Sequence, residues 1–200
     1  MMYSKNDDRL PVRQEIFRKL IHLASSVVPI AYQFWLTREQ ILLISCMITA
    51  VLLGGEVLRR TWKQGSLLFS KIFGSLLRIN ETHKLTGATY LYLSATITIF
   101  LFEKSVAVPA ILTLTVSDSM AAIIGKSLGR YKIFGKTLEG SLAFFITTII
   151  IFYICFGSLE PYLILIAALI SLLELIPLRF NDNPVVSLAA AVMLMIGRRS

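Results

Sequence analysis

Residues 106–124 read VAVPAILTLTVSDSMAAII, an apolar run broken by one charge, Asp118. A helix that crosses a bilayer needs about 20 mostly apolar residues. This run therefore reads as a membrane-spanning helix that carries a carboxylate. Six more runs have the same character: Ile16–Leu36, Gln40–Val57, Leu85–Phe102, Leu138–Phe156, Pro161–Leu178 and Pro184–Ile196, the last being the shortest. Thr37–Glu39, Glu103–Ser105 and Gly157–Glu160 are tight turns between neighbours. The whole predicts an all-α fold, a polytopic transmembrane helical bundle of about seven spans forming one domain over residues 1–200. Composition agrees. Of the 200 residues, 56% are hydrophobic and 16% charged, against about a quarter charged in soluble domains.

The formal net charge is +8. Such a balance suits nucleic acid or anionic lipid. Here the basic residues sit between apolar runs, so membrane topology explains them and no nucleic-acid partner is expected. Of the 20 Lys and Arg residues, all but Arg38, Lys104, Arg198 and Arg199 fall on one side of the predicted bundle. Positive-inside bias places that side in the cytoplasm, with the N-terminus and both long connections. Seven spans then put the C-terminus outside. The basic stretch from Lys5 to Lys19 is long and lacks a small-residue cleavage site, so it does not read as a cleaved signal. Cys46 and Cys155 lie in apolar runs without nearby Cys or His. They are expected to be buried thiols, not a disulfide or a metal site.

The first long connection runs from Arg59 to Lys84. Within it, Ser66–Arg78 (SLLFSKIFGSLLR) places Ser66, Ser70, Gly74 and Arg78 on one helical face and Leu68, Phe69, Ile72, Phe73, Leu76 and Leu77 on the other. That pattern fits a helix lying in the interface plane, or one packed on the core. The second connection, Gly125–Thr137, is glycine-rich and basic. It is not a Walker A loop: five residues separate Gly129 from Gly135-Lys136, where that motif has four and follows a strand. Its ingredients still suit a polyphosphate. Gly135 exposes backbone N–H groups, and Lys126, Arg130, Lys132 and Lys136 supply positive charge. A helix starting near Thr137, with Glu139 in its first turn, would bring an N-terminus to the same place. The plainer alternative is that these cations only fix topology.

Carboxylates inside spans are costly and usually functional. Glu56, Asp118 and Glu174 each lie near the cytoplasmic end of a predicted span. Glu56 can instead snorkel to the interface, and Glu174 can pair two helices. Around Asp118, Ser117, Ala121, Gly125 and Gly129 recur every four residues. Such a stripe permits close helix packing, and equally lets an anion approach the backbone. Asn181-Asp182-Asn183-Pro184 reads as a helix start on the same side. Together Asp118, Glu139, Glu174 and Asp182 offer oxygen ligands to Mg²⁺, which prefers carboxylates and phosphates.

Three pieces, Lys84-Leu85-Thr86-Gly87-Ala88-Thr89-Tyr90, Asp118-Ser119-Met120-Ala121-Ala122-Ile123-Ile124-Gly125-Lys126 and Gly135-Lys136-Thr137-Leu138-Glu139-Gly140-Ser141, occur in this order. In them the chain resembles the polyprenol kinase family of membrane enzymes. That family includes dolichol, phytol and farnesol kinases and the CTP-dependent diacylglycerol kinase of yeast. Arg18-Lys19 with His22, Glu174 and Asp182-Asn183 also match its pattern. Ser117 stands where many relatives have Gly, and Arg78-Ile79-Asn80-Glu81 lacks one acid of a run common in bacterial relatives. The resemblance implies transfer of the γ-phosphoryl group of a nucleoside triphosphate, often CTP, to a lipid alcohol such as a polyprenol, phytol or diacylglycerol. Taken with the loop chemistry, it implies Asp118, Lys136 and Glu139 as catalytic residues. Lys84, Gly125, Lys126, Gly129, Arg130, Gly135, Thr137, Gly140 and Ser141 would surround the nucleotide. Asp118, Glu174 and Asp182 would meet Mg²⁺ on the cytoplasmic side.

A cytidylyltransferase acting on phosphatidate would use the same CTP and Mg²⁺ but release pyrophosphate. A small transporter would instead want polar groups near the bilayer midplane and on both sides. The acids and glycines here crowd one boundary. A structural or assembly factor has no need of Asp118 beside a basic glycine-rich loop.

Overall fold

The computed structural model describes residues 12–74, 84–176 and 182–198. Among them the chain is all-α apart from one small hairpin. The first expected span is not one helix. α1 (Val12–Ala24) and α2 (Val27–Phe34) meet at Ser25-Ser26. There the Ser25 hydroxyl and the Ser25 N–H both donate to the Ile21 carbonyl at 3.1 Å. A serine that bonds its own backbone competes with the helical ladder, and the rod breaks. α3 (Arg38–Thr61) starts at a capping box between Thr37 and Gln40 and runs four residues beyond the expected Val57. Its 24 residues span about 36 Å at 1.5 Å per residue.

α4 (Lys63–Phe73) follows Trp62 and packs along α3, with the Arg59 guanidinium 5.0 Å above the Phe69 ring. Residues 75–78 of the predicted amphipathic stretch lie outside the described residues. α5 (Gly87–Leu101) begins at the N-cap Thr86. α6 (Lys104–Leu112), a π turn over Thr113–Ser117 and α7 (Asp118–Ser127) form one rod. A hairpin follows, pairing β1 (Lys132–Ile133) with β2 (Lys136–Thr137). Its turn residues Phe134 and Gly135 have φ of 50° and 88°, the sign that tight two-residue hairpins require. α8 (Leu138–Phe156), α9 (Pro161–Leu175) and α10 (Asp182–Gly197) complete the bundle.

Three helices are long and apolar enough to cross a membrane: Arg38–Thr61, Lys104–Ser127 and Leu138–Phe156. Gly87–Leu101, Pro161–Leu175 and Asn183–Gly197 are shorter and apolar. The α6–α7 rod is central. Of its apolar stretch 67% is buried, against 22% for α3. Small side chains fill the centre, including Ala95, Ala107, Ala110, Ala167, Ala190 and Ala191, while Leu43, Val51, Ile150, Ile154, Leu165 and Leu172 face out. Helices that associate in lipid pack through small residues and leave large apolar ones to the acyl chains. Cys46 faces out with them rather than being buried as expected; Cys155 is half-buried.

The alternation of helices gathers chemistry at one end. The last residues of α3, α7 and α9 meet the first residues of α5, α8 and α10 there. At the opposite end Arg38 donates to the Phe100 carbonyl at 2.6 Å, and Arg198 reaches Glu103 at 3.3 Å.

Candidate active site

Asp118 owes its place to the helix above it. Pro109 sits inside α6 without an N–H to donate. The Thr113 hydroxyl bonds the Pro109 carbonyl at 2.9 Å and the Thr115 hydroxyl bonds the Ile111 carbonyl at 3.0 Å. This hydroxyl-rich stretch adopts the π turn, a distortion common at functional sites. Asp118 follows it directly, buried, and pairs with the ammonium of Lys19. The sequence offered Asp118 a metal as its partner. The structure instead supplies a cation from α1. The Ser117 hydroxyl next door accepts from Thr148 on α8 at 3.0 Å.

Lys19 is one of a row. Glu15, Lys19 and His22 are all buried, while Phe17, Leu20 and Ile21 are exposed. Spacings of three, four and seven put the polar residues on one helical face. Arg18 donates to Glu15 at 2.9 Å. α1 thus turns its polar face to α7 and the π turn, and its apolar face outward. The period was present in the sequence, where Glu15 went unused and Arg18, Lys19 and His22 carried only a resemblance.

A second cluster surrounds the hairpin. Lys136, on β2, donates to Glu174 Oε1 at 2.5 Å and to the Glu174 carbonyl. The Ser141 hydroxyl donates to Glu174 Oε2 at 3.4 Å, and the Ser171 hydroxyl donates to the Ser141 carbonyl at 2.9 Å. Thr137 caps α8 by accepting from the Gly140 N–H at 3.2 Å. Three of the expected nucleotide glycines serve packing around this threonine. A Cβ on Gly125 would stand 2.6 Å from Thr137 Oγ1, one on Gly129 2.5 Å from Thr137 Cγ2, and one on Gly140 2.8 Å from the Ala121 carbonyl. The small-residue stripe is thus the seam between α7 and α8. Gly135 is different, since the space beside it is open.

Glu139, which the resemblance implies as catalytic, also ties the loop to α8. It accepts the Arg130 N–H at 2.9 Å and the Tyr131 N–H at 3.3 Å, tying the loop to the first turn of α8. These backbone bonds hold the carboxylate in place. Lys126, Arg130 and Lys132 are exposed around the tied loop.

A third cluster holds the turn before α5. Glu56 takes Arg59 at 2.5 Å, the Thr86 N–H at 2.7 Å and the Thr89 hydroxyl at 3.3 Å. Arg59 also donates to the Lys84 carbonyl at 3.0 Å. Glu56 therefore does not snorkel. It is 3% exposed and clamps residues 84–89. The Lys84 side chain is exposed. Asn183 closes the arrangement by donating to the Gly87 carbonyl at 3.1 Å.

Of the expected metal set Asp118, Glu174 and Asp182, the structure describes the side chains of Asp118 and Glu174. Among the described residues no three His, Cys, Asp or Glu side chains converge on a point. Asp118 and Glu174 each face an ammonium, because α8 and its hairpin bring Lys136 to Glu174 while α1 brings Lys19 to Asp118. The Asp182 side chain lies outside the described residues.

No family model matches the chain, and no solved structure does. An uncharacterized protein of Rickettsia prowazekii is 29% identical over 83% of this chain and 86% of its own length. An uncharacterized protein of Methanocaldococcus jannaschii is 33% identical over 85% of this chain and 87% of its own. The CTP-dependent diacylglycerol kinase 1 of Schizosaccharomyces pombe is 30% identical over 52% of this chain, which spans 49% of that kinase. The chain therefore belongs to one family with the Methanocaldococcus protein, and its distant homologues are CTP-dependent diacylglycerol kinases.

Proposed function

We propose that this chain is a membrane lipid kinase that moves the γ-phosphoryl group of CTP to the hydroxyl of a lipid alcohol. The observation that carries this reading is the buried Asp118–Lys19 pair at the end of the bundle that also bears the basic hairpin. Diacylglycerol is the acceptor named in the characterised homologues; polyprenol and phytol are the further acceptors to test. We place seven spans across the bilayer, with the N-terminus and the hairpin in the cytoplasm, where CTP is made, and the C-terminus outside.

Phosphoryl transfer asks for positioning and charge neutralisation more than covalent chemistry. Lys126, Arg130, Lys132 and Lys136 attract the triphosphate, and the N–H groups beside Gly135 accept close approach. Lys19 faces the transferred group while Asp118 takes the proton of the lipid hydroxyl. The hydroxyl oxygen then bonds the γ-phosphorus, the bond to the β–γ bridging oxygen breaks, and CDP leaves. Nucleotide-borne Mg²⁺ is commonly held by one or two carboxylates with phosphate oxygens completing the shell. Asp118 fits that donor set, whereas Glu174 is engaged by Lys136 and Ser141. Bound there, the ion would neutralise phosphate charge.

The test is purified protein with labelled CTP and a panel of diacylglycerol, polyprenol and phytol. Phospholipid product with CDP is expected. Pyrophosphate with a CMP-linked lipid would instead indicate cytidylyl transfer. No product from any alcohol would end the kinase reading.

A further inference from the structure

His22 is 3% exposed, and neither ring nitrogen has a hydrogen-bond partner among the described residues. Its neighbours on the same face, Glu15 and Lys19, both have one. A buried polar group left unpaired is costly, and natural interiors rarely keep one without a use. The ring sits in the bundle seam facing the Asp118 site, and the charges acting on it are Lys19, Asp118, Arg18 and Glu15. Two are cations and two are anions, so the local field favours a neutral ligand over a phosphate.

Depth adds to this. His22 follows Lys19 by three residues on α1, about 4.5 Å further from the basic end. The phosphates arrive from that basic end. A lipid hydroxyl arrives from the bilayer side, and it meets His22 before it meets the Lys19–Asp118 pair. The exposed Phe17, Leu20 and Ile21 put apolar surface on the opposite, outward face of α1. A neutral imidazole offers one donor and one acceptor, and a hydroxyl offers the same.

We propose that His22 binds the hydroxyl of the lipid acceptor and so positions it against Asp118. This rests on the lipid-kinase reading. His22→Leu keeps the bulk and removes both polar atoms, so its melting temperature should hold or rise. Its KM for diacylglycerol should climb about tenfold, with the KM for CTP unchanged. His22→Gln, which retains a donor and an acceptor, should recover part of the loss and covers the case in which the leucine variant misfolds. A readout independent of turnover is labelling by a diazirine-tagged diacylglycerol. The wild type should be labelled within Val12–Ala24, in competition with untagged diacylglycerol, and His22→Leu much less. If the wild type phosphorylates no lipid but this competable labelling persists, the kinase reading falls and the hydroxyl site stands. If the wild type is active while both variants keep the lipid KM and the labelling of the wild type, His22 is a packing residue and the inference is overturned.

Discussion

Glu56 and Asp118 are both carboxylates buried in apolar helices at the basic end of the bundle, at 3% and 7% exposure, yet their surroundings differ. Both oxygens of Glu56 are used, Oε2 by Arg59 and Oε1 by the Thr86 N–H and the Thr89 hydroxyl. Among the described residues Asp118 has only Lys19, through Oδ2, and its neighbour His22 has nothing. A saturated carboxylate fixes a backbone turn and has no capacity left for a ligand. An unsaturated one, next to an unpaired imidazole, has capacity to spare. The contrast separates a scaffold acid from the acid we propose to do the chemistry, without reference to position in the chain.

The sharpest way to break this contrast is Asp118→Asn. The shape is kept and the charge removed. The protein should still insert and express, with a lower melting temperature because the buried Lys19 loses its counter-charge, while phosphoryl transfer should fall by about 10²–10⁴-fold, the range for losing a positioned general base. Added Mg²⁺ should not restore it fully. An active variant with only a lowered melting temperature would make Asp118 a structural partner of Lys19, no different in kind from Glu56.

Glu56→Gln is the mirror experiment. The amide still accepts from Thr86 but leaves the buried Arg59 without its counter-charge. The expected cost is about 1–3 kcal/mol of stability, read as a lower melting temperature in detergent. The KM for CTP in the surviving protein should change little. A collapse of turnover without loss of stability would move Glu56 into the site.

The sequence carried the element boundaries well where apolar runs end in turn residues: Leu138–Phe156 is matched residue for residue, and α9 begins at Pro161 as expected. It failed where backbone competition decides. The break at Ser25-Ser26 and the π turn over Thr113–Ser117 depend on serine and threonine hydroxyls returning to particular carbonyls, and hydropathy is blind to that. At the site, the sequence found Asp118, Lys136 and Glu174 but not their pairing. Which cation reaches which acid is set by helix adjacency, with α1 against α7 and the hairpin against α9. The glycines were seen as both packing and anion-binding residues, and Gly125, Gly129 and Gly140 pack. The polar face of α1 was the clearest missed signal, since its period could be read beside the exposed apolar residues.

Lys136→Ala probes a case between the two acids. Its ammonium is partly exposed and bound to Glu174, so it is available to exchange that partner for a phosphate. A charge-assisted bond to the nucleotide predicts a KM for CTP raised roughly tenfold, together with a lower melting temperature because the buried Glu174 loses its ammonium. If kinetics do not change, the hairpin cations serve only topology.

Glu139→Gln carries the smallest expected effect and refines the contrast most. Glu139 resembles Glu56 in accepting backbone N–H groups, but it does so at the edge of the site and not in its floor. The amide keeps an acceptor oxygen for Arg130 and Tyr131 but loses the charge that strengthens both bonds. The loop should loosen without detaching, so amide exchange at Arg130 and Tyr131 should quicken while kcat stays near the wild-type value. Only the KM for CTP should rise, and by less than in Lys136→Ala, because the loop's cations are displaced rather than removed. If kcat instead falls as steeply as in Asp118→Asn, Glu139 is doing chemistry. Saturation by backbone donors would then no longer mark a scaffold acid.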